Sequence, residues 1–373
     1  MKKLFILLFW SIAFALVAQI PTGYYDQAEG KTGAELKTAL FNIVSSHTQI
    51  TYTGLWSAFP YTDARSDGKV WDIYSTATNY VFGYSSNGGN QCGNYSKEGD
   101  CYNREHSFPK SWFNVKSGDE NTVPMGTDLF HLYPSDGYVN AQRSNYMFGE
   151  VASPIYTSKN GYCKLGPCSF PGYTGTVFEP GDDMKGDFAR TYFYMVTAYQ
   201  DRIVTWTNSD AAQLLDVTSS ATLTYPSFKQ WAINLFLKWN AQDPVNQKEI
   251  NRNNVIYSQY QHNRNPFIDH PELAEYIWGD KKGMAWSTTV STGVQAPQLQ
   301  DIQIRVSRDN KTVRFESENQ RSLHYIFTDI SGKLLLTGDA EINQTISLGA
   351  FSNGIYLLHV SDGKGIKVTK FLL

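Results

Sequence analysis

The residues of this chain that could do chemistry lie in two short blocks. Residues 101–113, CYNREHSFPKSWF, place Glu105 directly before His106, and residues 128–150, DLFHLYPSDGYVNAQRSNYMFGE, carry Asn140 and Arg143. Hydrolysis of a phosphodiester needs a general base near neutral pH, and imidazole is the side chain whose ordinary pKa lies nearest that range. His106 is the candidate base. The reaction also needs a hard cation against the phosphate and the departing oxygen, and Mg2+ takes a few oxygen ligands while keeping several waters. Glu105 and Asn140 offer two such oxygens, with Mn2+ or Ca2+ as alternative ions.

Local structure has to bring these groups together. Residues 129–133 read as a short strand stopped by Pro134, and Ser135 or Asp136 as the N-cap of a helix running towards Tyr146. On that helix Asp136, Asn140 and Ser144 share a face, with Arg143 beside them. Successive strand residues point to opposite faces, so Glu105 and His106 can address one site only at a strand end or a bend. The expected unit is strand, loop, strand, helix, with the metal between the end of the first strand and the helix.

These two blocks resemble the endonuclease I family of secreted bacterial nucleases, whose site is a ββα-metal finger. The resemblance continues through FEPGDDMKGDFARTYFYM (residues 178–195) and EINRNNVIYSQYQHNRNPFIDHPELAEYIW (residues 249–278), and so covers most of residues 30–280. It implies His106 as general base, Glu105 and Asn140 as metal ligands, and products with 5′-phosphate ends. The chain departs from the family in two places. Phe130 stands where members often have His, and no Arg occurs between Arg104 and Arg143, where some members place an Arg that contacts phosphate. That role passes to Arg143, with Arg190, Arg264, Lys110 and Lys116 as alternatives.

Two other classes compete. A degenerate finger could bind nucleic acid or a surface polymer without cleaving it; intact Glu105, His106 and Asn140 argue against this, and only Phe130 leans towards it. A metalloprotease would need HExxH or an equivalent helical His pair, which is missing. Nothing resembles a base-reading helix in the major groove, so little preference for base sequence is expected.

With 373 residues, 41% hydrophobic and 14% aromatic, the chain can bury one large core and one smaller. Its net charge is -3, so affinity for a polyanion must come from a local basic cleft and the metal. Residues 1–18 read as a signal peptide: Lys2 and Lys3, an apolar run, then small residues for cleavage. The run is shorter than the roughly twenty residues of a membrane span, so a secreted protein without stable membrane insertion is expected. Four cysteines fit an oxidising compartment, with Cys92–Cys101 and Cys163–Cys168 as the economical pairing and the first bracing the chain before Glu105. A zinc site is the alternative, but no close CxxC pair supports it.

The expected fold class is α+β: a mainly helical nuclease domain over residues 19–282 around the ββα-metal finger, a linker at 283–300, and a small antiparallel β-sandwich at 301–373. Apolar periodicity predicts helices at 34–47, 185–202, 227–241, 246–261 and 271–278, short strands at 70–84, and an irregular covering segment between 150 and 180. Helical spacing makes Tyr192, Phe193, Tyr194, Trp231, Phe236 and Trp239 core residues rather than base-stacking platforms. His131, His262 and His270 read as structural. Beyond residue 300 apolar and polar residues alternate between turn signals at 309–310, 331–332, 352–354 and 362–363. The terminal NGIYLLHVSDGKGIKVTKFLL resembles the sorting domain of proteins exported by the type IX secretion system, which implies that machinery as a partner. A monomer is expected.

Overall fold

The computed structural model describes residues 20–216, 225–288, 299, 301–329, 334–362 and 366–373. The signal-peptide reading, most of the linker, and the turns at 331–332 and Gly363 lie outside these residues. The chain is α+β and divides into two units, one up to Thr288 and one from Thr289. Trp286 is buried in the first unit's core and the Thr288 amide donates to Glu29 (2.5 Å), so the first unit continues past residue 282.

The first unit is built on helices α1 (Gly33–Val44), α2 (Leu55–Thr62), α3 (Gly137–Arg143), α4 (Lys185–Ala198), α5 (Ala211–Leu214), α6 (Gln230–Gln242), α7 (Gln247–Val255), α8 (Pro266–Asp269) and α9 (Leu273–Ile277). Its strands are β1 (Tyr102–His106), β2 (Leu132–Asp136), β3 (Met147–Phe148), β4 (Tyr156–Thr157), β5 (Lys164–Pro167) and β6 (Thr176–Glu179). Helix α4 is the centre. Every residue from Gly186 to Ala198 is buried, and the helix packs on α1, α6 and α8. The six aromatic residues read as core are all buried. Phe193 stacks on Trp278 (4.8 Å) and Tyr192 tilts against Phe236 (5.0 Å).

Helix α7 shows how the sequence sets a boundary. The Asn246 side chain accepts from the amides of Lys248 (2.9 Å) and Glu249 (3.2 Å), while the Glu249 carboxylate accepts from the Asn246 amide (3.1 Å), a reciprocal cap. Asn246→Ala should cost about 1 kcal/mol of stability, read as a lower urea midpoint at unchanged slope.

Several expectations are corrected. Residues 70–84 form isolated bridges instead of strands. The Asp72 carboxylate there accepts from the amides of Tyr74 and Asp136 (3.0 Å each) and the Thr78 hydroxyl (2.8 Å), and such side-chain bonds replace a strand ladder. Residues 150–180 are not irregular: with residues 147–148 they build a four-stranded sheet in the order β3-β6-β5-β4. Residues 129–131 form a turn, and β2 starts at Leu132 and runs through Pro134. The Pro134 carbonyl accepts from Ile73 (3.5 Å), so that residue's main-chain groups face away from β1 and no ladder bond is lost. Cys92 and Cys101 are disulfide-bonded as expected, but Cys163 and Cys168 are not. Strand β5 lies between them, and five extended residues span about 16 Å, far beyond disulfide reach.

Among its described residues the second unit holds seven antiparallel strands: β7 (Gln303–Ser307), β8 (Thr312–Glu316), β9 (Ser322–Asp329), β10 (Leu334–Glu341), β11 (Thr345–Ser347), β12 (Ile355–Ser361) and β13 (Ile366–Leu372). They form two sheets, β10-β9-β12-β13 and β11-β8-β7, around one core of Val313, Phe315, Leu323, Phe327, Leu358 and Val360. Among the described residues no helix is long and apolar enough to cross a membrane.

Candidate active site

Strand β1 carries the first wall of the site. It pairs antiparallel with β2, with Glu105 opposite Tyr133 and His106 opposite Leu132. His106 is the last residue of β1, so the strand ends where the pair must serve one cleft. Alternation then sorts the neighbours. Asn103 and Glu105 face α3, whereas Arg104 and His106 face the loop holding Tyr52. Asp136, not Ser135, caps α3, its carboxylate accepting from the Val139 amide (2.8 Å). The other Asp136 oxygen takes the Tyr80 hydroxyl (2.6 Å) and the Gly99 amide (2.8 Å), so this residue faces away from the cleft.

Glu105 is buried. Its Oε1 accepts from the Tyr74 hydroxyl (2.8 Å) and Arg143 Nη1 (2.9 Å), and Asn140 reaches the same carboxyl group. Burial pushes the Glu105 pKa up, and the Arg143 charge opposes that shift. The Asn140 amide nitrogen donates to Asn103 Oδ1 (2.8 Å), which fixes the side chain and leaves its carbonyl oxygen as acceptor. Arg143 is fully enclosed. Nη1 also donates to the His106 carbonyl (3.0 Å), Nη2 donates to the Ser107 carbonyl, and the guanidinium lies 4.9 Å over the Phe148 ring.

His106 is held from behind. Its Nε2 lies 3.0 Å from the Gly126 carbonyl, and because a carbonyl only accepts, Nε2 carries the proton and Nδ1 the lone pair. Burial lowers the His106 pKa well below the usual imidazole value, so the ring is neutral at physiological pH. Gly126 belongs to a turn that tolerates no side chain: a Cβ there would come 2.1 Å from the Glu120 carbonyl oxygen. Glu120 is fixed in turn by Lys110 (2.5 Å) and the Gly118 amide (2.9 Å). His131 fills the space behind. Its Nε2 bonds the Met125 carbonyl (2.6 Å), its ring lies 5.4 Å from His106, and burial lowers its pKa to about 4.

Two further side chains complete the wall, and neither is prominent in the sequence. The Tyr52 ring stacks on His106 (5.8 Å between centres, 27°) and carries the Arg104 guanidinium 3.5 Å over its ring. Arg104 also donates to the Tyr52 carbonyl (2.5 Å) and lies 4.5 Å over Trp56. Among the described residues it makes no ion pair, so its charge is open to a ligand. The signal for Arg104 was its position two residues before His106 on one strand; Tyr52, fifty residues upstream, gave none. Tyr52, Arg104, Glu105, His106, Lys110 and Asn140 border one cleft of about 290 Å³, which Arg143 and Ser144 also line. The other cations weighed for phosphate contact do not reach it. Arg190 is buried against Glu249 (2.6 Å), Arg264 against Asp269 (2.6 Å), and Lys116 is exposed elsewhere. Phe130 is buried against Tyr194 (4.7 Å).

The wall thus joins two cations, Arg104 and Lys110, to a buried carboxylate and a neutral imidazole, and the family match places the protein among the nucleases. The family described as Endonuclease I matches residues 32–272, and the chain belongs to that family. The family described as Secretion system C-terminal sorting domain matches residues 306–373. The chain is 40% identical over 258 residues to an extracellular ribonuclease of Bacillus subtilis (strain 168), covering 68% of this chain and 78% of the relative. An extracellular ribonuclease of Bacillus amyloliquefaciens is 36% identical over 255 residues, with the same coverage. An Endonuclease-1 of Buchnera aphidicola subsp. Baizongia pistaciae is 29% identical over 150 residues, 40% of this chain and 49% of that one. The protein is therefore a nuclease that is secreted or displayed at the cell surface.

Proposed function

We propose that the enzyme is a metal-dependent, non-specific endonuclease that hydrolyses DNA and RNA and leaves 5′-phosphate ends, with β1, β2 and α3 acting as a ββα-metal finger. The observation that carries this reading is the meeting of His106, Glu105, Asn140 and Arg104 on the wall of one cleft. His106 Nδ1 takes the proton of the attacking water, its tautomer held by Gly126. Arg104 and Lys110 hold the phosphate. Arg143 is a positioning residue: it fixes the Glu105 carboxylate and the end of β1.

The donor set suits a hard cation. The Glu105 carboxylate and the Asn140 side-chain amide adjoin on the wall of the cleft, and Mg2+ needs few protein ligands beside its waters. Among the described residues no cluster of three or more His, Cys, Asp or Glu is a metal site, so a one-carboxylate site is what this cleft can offer. Glu105 and Asn140 would hold the ion, whose chemistry there is neutralisation of charge on the phosphate and the leaving 3′ oxygen. Mn2+ or Ca2+ would compete for the same oxygens. Action on RNA is drawn from the relatives named extracellular ribonucleases, and action within a strand from the relative named Endonuclease-1. The enzyme acts as a monomer, exported through the type IX machinery by its C-terminal unit.

Plasmid nicking and RNA degradation by the mature enzyme should stop in EDTA and return with added Mg2+. The fragments should be substrates for ligase without prior phosphorylation. Cleavage that persists in EDTA, or ends lacking a 5′ phosphate, would overturn the proposed chemistry.

A further inference from the structure

Asn145 lines the first cleft and also a second cleft of about 360 Å³, so the two are neighbours that share a wall. Ser144 makes the turn between them, ending α3 at φ +53° and ψ −122°, a backbone few L-residues adopt. The second cleft differs in chemistry. It is lined by Tyr146, Tyr173, Met147, Thr176 and Asp210, with no Lys or Arg. A phosphate would meet the Asp210 carboxylate there, whereas a base would meet aromatic faces and a polar edge.

The aromatic part is built. Tyr173 lies 5.0 Å from Trp231 at 13°, a near-parallel stack on the edge of α6. Two glycines hold it: a Cβ at Gly172 would come 2.7 Å from Trp231 Cβ, and one at Gly175 would come 2.1 Å from the Tyr173 hydroxyl. Trp231 is fixed by its indole N–H, which donates to the Gln213 carbonyl (3.0 Å). Tyr146 is 39% exposed beside this stack. Asp210 is pinned by the Asn145 amide (2.5 Å), which joins the second cleft to the first.

We propose that this second cleft is a nucleobase subsite, in which Tyr173 and Tyr146 receive the base of a nucleotide flanking the scissile phosphate. The inference rests on the nuclease reading of the first cleft. Stacking accepts every base, which agrees with a substrate range not limited by sequence. It favours single-stranded or unpaired nucleotides, whose bases are free to leave the stack.

The test uses the full mature enzyme and short single-stranded oligonucleotides with one cleavable linkage, the others being phosphorothioate-blocked. An abasic residue replaces the nucleotide on one side of that linkage, then on the other. For the wild type, one of the two abasic positions should lower kcat/KM roughly 5- to 150-fold, the range of a lost base–aromatic stack. Tyr173→Leu and the surface change Tyr146→Ala should shrink that penalty, and Tyr173→Phe should keep it. Binding of the same oligonucleotides in EDTA, followed by fluorescence anisotropy, should show the same order without catalysis. If both abasic substrates are cleaved and bound like the intact one, or the penalty survives Tyr173→Leu and Tyr146→Ala unchanged, the subsite is overturned while the nuclease reading stands. An enzyme inactive on every substrate would instead strike the nuclease reading.

Discussion

His106→Ala should lower kcat/KM on plasmid DNA and on RNA about 10²- to 10⁴-fold, with folding unaffected. The size follows from the loss of a positioned general base. Three features single out this imidazole among the seven in the chain. It ends β1 at the cleft, it is kept neutral by burial, and its Nε2 is committed to the Gly126 carbonyl, which leaves Nδ1 to act. His131 has a comparable environment but faces the Met125 carbonyl behind the wall and does not line the cleft. His131→Gln should therefore cost far less activity than His106→Ala. Equal losses at the two positions, or a His106→Ala enzyme within tenfold of wild type, would remove His106 from its role.

Arg143→Met should destabilise the protein by about 3–5 kcal/mol and reduce cleavage as well. The change leaves the Glu105 carboxylate buried without its counter-charge and removes one donor each from the His106 and Ser107 carbonyls, the latter keeping the Tyr192 hydroxyl. Methionine fills much of the space and packs against Phe148, so loss of volume explains little of the effect. Urea denaturation supplies the number. Combining Arg143→Met with Glu105→Gln takes away the unpaired charge and should restore part of the stability, while activity should stay low because the carboxylate proposed to hold the metal is gone. A loss below about 1 kcal/mol in the single variant would show that the pair is not holding the strand end.

The sequence made the polar side chains that gather at the cleft legible and left their supports hidden, for physical reasons. Glu105 and His106 adjoin in the chain, and strand alternation alone required a strand end or a bend there, and β1 ends at His106. Asp136 was legible as a cap because a carboxylate before a helix meets its free amides. Tyr192 to Tyr194, Trp231, Phe236 and Trp239 followed helical spacing into the core. Tyr52 could not be found this way, since its stacking on His106 joins segments over fifty residues apart through no periodic pattern. Residues 70–84 were mistaken for strands because their apolar residues suit β structure, while the deciding interactions belong to the Asp72 side chain. Cys163 and Cys168 looked like a local pair by count and spacing, yet β5 holds them apart, and spacing does not report whether the chain between is folded back or extended.

The Gly126 turn has a consequence for how such a catalyst is inherited. The partner of the imidazole proposed as the base is an oxygen of the main chain, so no point substitution can delete it. Neighbouring side chains can be exchanged one after another while the proton stays on the same nitrogen. Only a change that bends the chain interferes, and at this position a single added carbon, 2.1 Å from the Glu120 oxygen, is enough. A survey of functional groups would pass over residue 126 as a featureless turn. The lineage of the reaction runs there through the curvature of the polypeptide.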